Sequence, residues 1–85
     1  MFDKLAVGDS VAWWADSHGR GVEAHDPKAV LRSGRVVSVH HHPTEPNRVV
    51  ACLVECRAPA AGVYIATIRP DQGHQPTVLT RADDH

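Results

Sequence analysis

Eighty-five residues, 42% of them hydrophobic and 22% charged, with nine basic side chains against ten acidic ones for a formal charge of -1, describe one small domain. A chain of this length buries only about 60–65% of its unfolded surface, so a single core must do all the stabilising and large cofactor-enclosing architectures are excluded. The two signs of charge are interspersed and nearly cancel, which weighs against nucleic acid as a partner, and no apolar run approaches the roughly 20 residues that cross a bilayer. The first residues, Met1-Phe2-Asp3-Lys4, do not resemble a signal peptide. A cytoplasmic protein with no membrane partner and no cofactor is the expectation.

In chain order, Gly8-Asp9 is a turn signal, and Ser10-Val11-Ala12-Trp13-Trp14-Ala15 combines β-branched and aromatic residues over the length of a first strand. From Asp16 to Ser33 the pattern dissolves into polar residues and breakers, which predicts a long loop; within it Asp26-Pro27 is suited to capping one helical turn. Gly34 to His40 reads as the second strand, and His41 to Asn47 as a loop held by two prolines. Arg48 to Arg57 is the third and most β-branched strand. Ala58-Pro59-Ala60-Ala61-Gly62 closes a tight connection to a fourth over Val63 to Ile68. Arg69-Pro70-Asp71-Gln72-Gly73 breaks the ladder, because proline lacks the amide a central strand needs, and Thr77 to Arg81 supplies a short fifth strand. The domain is expected over residues 1–82, with 83–85 as a solvated tail.

Cys52 and Cys56 lie in the third strand. Four residues of strand separate their Cα atoms by about 13 Å, roughly twice the reach of a disulfide. They cannot bridge each other, and they share a face with Val50 and Val54 as small buried hydrophobes. A zinc site on them would need a Cys-x2-Cys spacing or a helix.

Five short strands with a long first connection, a medium second, a tight third and a one-turn fourth resemble the SH3-like small barrels, which include SH3, Tudor and KOW-type modules. The residues that carry the resemblance are Gly8-Asp9-Ser10-Val11 and Gly34-Arg35-Val36-Val37-Ser38-Val39, similar to the Gly-Asp-x-Val and Gly-x-Val-x-x-Val signatures of such barrels. The resemblance implies an all-β domain, a single five-stranded SH3-like barrel with a long loop between strands 1 and 2. Closure would leave few strand edges exposed. The strand order is also similar to that of the tetrameric type II dihydrofolate reductases. Where that family places Val-Gln-Ile-Tyr in a central pore, this chain has Val63-Tyr64-Ile65-Ala66. Both polar residues of the motif are replaced, so no reductase chemistry is carried over to any residue here.

Trp13 and Trp14 are adjacent and point to opposite faces of a strand, so one enters the core and the other is partly exposed; alternation alone leaves open which. A partly exposed tryptophan beside a long loop, with Tyr64, is the material of a peptide-binding groove or an oligomer surface. Trp13, Trp14, Tyr64 and Arg20 are therefore the candidate partner-binding residues. In His40-His41-His42, His40 and His42 share a strand face at about 6–7 Å, a spacing that can chelate zinc, nickel or copper. A closed site needs four ligands, and the other candidates, His18, His25, His74, Glu45 and Asp83-Asp84-His85, are placed only by folding. The serines lack a nucleophile elbow, and Gly19-Arg20-Gly21-Val22 lacks the third glycine and the strand-to-helix setting of a phosphate loop.

The sequence thus favours a non-enzymatic interaction or assembly module that contacts a protein partner or a second copy of itself. The alternatives are a metal- or small-ligand-binding protein using His40 and His42, and a KOW- or Tudor-like nucleic-acid module with Arg20, Arg32 and Arg35 on phosphates.

Overall fold

The computed structural model describes residues 2–60 and 62–82; the expected tail at 83–85 lies outside the described residues. The chain is all-β. Strands β1 (Ser10–Ala15), β2 (Val30–His41), β3 (Val49–Ala58), β4 (Gly62–Ile68) and β5 (Thr77–Thr80) form one antiparallel sheet in the order β4-β3-β2-β1-β5. A 3-10 turn over Phe2–Lys4 precedes β1, and a second over Pro70–Gln72 breaks the chain between β4 and β5 at the proline.

The sheet curls around its own concave face. Val11, Trp13 and Ala15 of β1, Val36 of β2, Cys52, Val54 and Cys56 of β3 and Ile68 of β4 are buried there, with Phe2 and Leu5 of the N-terminal segment packed against them. Curling needs close strand approach, and Gly34 supplies it: a Cβ at this position would collide with the Glu55 carbonyl and the Val54 side chain. Gly21 has the same role where the β1–β2 connection crosses the β4–β5 connection, since a Cβ there would overlap the backbone of Gly73 and His74.

Four expectations are corrected. The sheet is not closed into a barrel: β4 and β5 remain its two edges. The long loop ends at Ala29 and not Ser33, because β2 starts at Val30 and pairs with β1 along the whole of that strand, from Ala15↔Val30 to Ser10↔Arg35. Asp26 starts no helix; its Oδ1 accepts the Lys28 amide in an isolated turn, the local bond aspartate offers in competition with helix. Finally, Val49 and not Val50 joins the core. The β2–β3 register passes from His40↔Ala51 to His41↔Val49, so Val50 is the extra residue of a bulge and the inward set shifts by one. A second bulge at Val37 likewise puts Val36 inside and leaves Val37 exposed.

The two cysteines are free and buried, as their strand spacing requires. Burial pushes the Cys52 thiol up to about 11. It also raises Cys56, with Tyr64 and Arg32 acting in the opposite sense.

Candidate functional site

Counting back by twos from Val36 along β2 places Gly34, Arg32 and Val30 on the concave side. Arg32 sits directly opposite Trp13 across the β1–β2 ladder, and its guanidinium donates to the Tyr64 hydroxyl at 3.5 Å. Trp13 is only 2% exposed and forms the floor; Tyr64 and Ala66 of β4 are half-buried and form one wall. The opposite wall is the turn Ser17-His18-Gly19. Together these residues line a cleft of about 340 Å³.

The wall opposite β4 is fixed by hydrogen bonds. Asp16 accepts the His18 and Arg20 amides on Oδ1, at 2.9 and 3.0 Å, and its own amide donates to the Arg20 carbonyl. The Arg20 amide, followed by that of His18, holds the Asp16 carboxyl below its ordinary value. Behind the turn, His74 is buried. Its Nε2 donates to the Gly19 carbonyl at 2.7 Å while Nδ1 accepts the Arg69 amide at 3.0 Å, so one imidazole ties the first connection to the fourth. The Gly21 amide adds a bond to the Gln72 carbonyl. The cleft is therefore preorganised on both sides, which lowers the ordering cost of any ligand.

The candidate residues are distributed as follows. Trp13 and Tyr64 come together in the cleft. Trp14, 36% exposed, lies on the convex face opposite Leu31, and Arg20 is exposed outside the cleft lining. His40 is exposed and shares a hydrogen bond with Ser38, while His42 Nδ1 is engaged by the Thr44 amide and hydroxyl. Among the described residues no three His, Cys, Asp or Glu side chains converge as a metal site would require; Asp83, Asp84 and His85 lie outside them.

Sequence reasoning considered Arg32 only as a phosphate contact and missed its place in the cleft. Alternation carried back from Val36 reaches it only once pairing with β1 extends β2 to Val30, so the signal was partial. Asp9 and His74 carried no such signal, because Arg81 and Ala82 for the first and Gly19 for the second lie far along the chain. Asp9 is 1% exposed and accepts the Ala6 and Ala82 amides and the Arg81 guanidinium at 3.0, 2.9 and 3.1 Å, clasping the start of β1 to the end of β5. Burial is the largest influence on its carboxyl and would raise it. The amides of Ala82 and Ala6 and the charge of Arg81 together prevail and hold it below its ordinary value.

A wider groove of about 730 Å³ runs between the N-terminal turn and the β2–β3 loop. Its charged side chains are already engaged: Asp3 accepts the Val49 amide and Glu45 pairs with Arg48. No family model, no curated protein and no solved structure matches the chain.

Proposed function

We propose that this chain is a small β interaction module that engages an extended segment of a protein partner by contact and not by reaction. The observation that carries the reading is the convergence of Trp13, Tyr64 and Arg32 in a preorganised cleft bordered by the free edge of β4. An aromatic floor with a few fixed polar groups is the usual make-up of a binding site, and an unpaired edge offers main-chain bonds to an added strand. The strand order and connection lengths support placing the module near the SH3-like small barrels, as an open-sheet variant.

The test is selection of extended peptides from a display library on the immobilised wild-type protein, followed by binding to Ala66→Trp, whose indole would fill the cleft from β4. Loss of binding with a strand-type circular dichroism spectrum is the expected result. Binders that survive Ala66→Trp overturn the reading.

A second reading, self-assembly, is favoured by the contrast between the two sheet edges. β5 is four residues long, bulged against β1 and followed by Arg81. β4 is seven residues long, unbulged, and lies in a stretch from Ala58 to Ile68 without a charge; Val63 and Ile65 are 57% and 53% exposed on it. Natural edges are commonly guarded by lysine, proline or bulges, and β4 has none of these. Light scattering over a concentration series, with Ile65→Lys as the edge-blocking variant, separates a self-pairing β4 from one that stays free.

A further inference from the structure

We propose that the Arg32 guanidinium seats a side-chain carboxylate, that of a glutamate on an extended partner segment lying along β4. This rests on the cleft reading above and names the chemistry the cleft selects.

The observation is a cation withdrawn from water without an anion. Arg48, Arg69 and Arg81 are each paired with a carboxylate, and Arg20, Arg35 and Arg57 are exposed to solvent. Arg32 alone is half-buried with no carboxylate in ion-pair distance among the described residues. Among the described residues no Asp or Glu lines the cleft. Its one side-chain partner among the described residues is the Tyr64 hydroxyl, which brings no negative charge to the guanidinium. A planar fork of donors held in place at a partly desolvated site is suited to a bidentate carboxylate.

The reach favours a side chain over a chain terminus. A strand added to β4 puts the residue opposite Tyr64 on the same face, with Cβ atoms about 5 Å apart. A glutamate there runs alongside the tyrosine ring toward its hydroxyl and hence toward Arg32. Main-chain bonds to the β4 edge hold the segment on both sides of that residue, as a continuous strand requires. One isolated guanidinium on a chain of net charge -1 does not form the basic track that a nucleic-acid backbone needs.

The experiment uses the full chain carrying Trp14→Phe, so that Trp13 is the sole tryptophan and its fluorescence reports on the cleft. Four probes are titrated: a terminally blocked nonapeptide of alternating valine and threonine with a central glutamate, its glutamine twin, the glutamine twin with a free C-terminal carboxylate, and decathymidylate. The glutamate peptide is expected to bind at least about tenfold more tightly than its glutamine twin, and Arg32→Gln to bring that ratio close to one. Arg32→Lys, which keeps the charge and loses the fork, should leave an intermediate ratio, and it serves if Arg32→Gln does not fold. Equal binding of the glutamate and glutamine peptides overturns the proposal. So does preference for the free C-terminus or for the oligonucleotide, or a glutamate preference that persists in Arg32→Gln. If no probe binds while display-selected peptides still depend on Ala66, the carboxylate proposal falls and the module reading stands. If those peptides bind Ala66→Trp as well, both fall.

Discussion

Asp9 and Arg32 are both ionised side chains drawn away from water, and the chain surrounds them differently. Asp9 is saturated: two amides and a guanidinium, contributed from positions 6, 81 and 82, meet its two oxygens. Among the described residues Arg32 is given one hydroxyl, that of Tyr64, and a cleft. A saturated buried charge locks the fold, because removing any partner leaves the others desolvated and unpaired. An unsaturated one keeps donors in reserve for something outside the chain, which is why the clasp is read as structure and the cleft as a site.

Substitutions sharpen or break this contrast. The largest effect is expected at Trp13→Ala, which empties the floor under the cleft and should lower stability by about 4 kcal/mol in urea unfolding. Asp9→Ala should follow at about 3 kcal/mol, moving Tm down by about 15 °C; a loss no greater than that of an exposed aspartate would end the clasp interpretation.

Acid should unfold the protein through the same clasp. The folded carboxyl of Asp9 lies below its unfolded value, so its stabilisation is fully present above the ordinary carboxylate range and is lost as pH falls through the folded value; Asp16 acts in the same direction. The urea midpoint should therefore fall steadily below about pH 4 in the wild type, and with a shallower slope in Asp9→Asn. Smaller still, Arg32→Gln should change stability by about 1 kcal/mol or less, since it removes one long hydrogen bond and no ion pair. A loss as large as that of Asp9→Ala would show Arg32 to be a structural residue and would merge the two regions into one class. Trp14→Ala, on the convex face, should cost about 0.5–1 kcal/mol.

Much of the architecture could be read from the chain. Ser10–Ala15 was delimited by its β-branched and aromatic run, and Pro70 marked the break before the last strand, because such signals are local. The start of β2 was hidden. Val30-Leu31-Arg32-Ser33 puts two apolar residues side by side and an arginine inward, and only its pairing with β1 makes it a strand. The bulges at Val37 and Val50 were equally silent, since a β-branched run looks the same whichever residue is skipped. The candidate site suffered from the same cause: its tryptophan and tyrosine were visible as types. The cleft that unites them depends on His74 reaching Gly19, 55 positions away, which no periodicity encodes.

The pair of sequestered thiols also makes the protein a stopwatch for its own breathing. With Cys52 and Cys56 shielded and their protons held more tightly than in a free thiol, an alkylating reagent finds almost no thiolate until β3 detaches from its neighbours. Labelling rates under native conditions would thus time the opening of the central sheet, with no engineered probe.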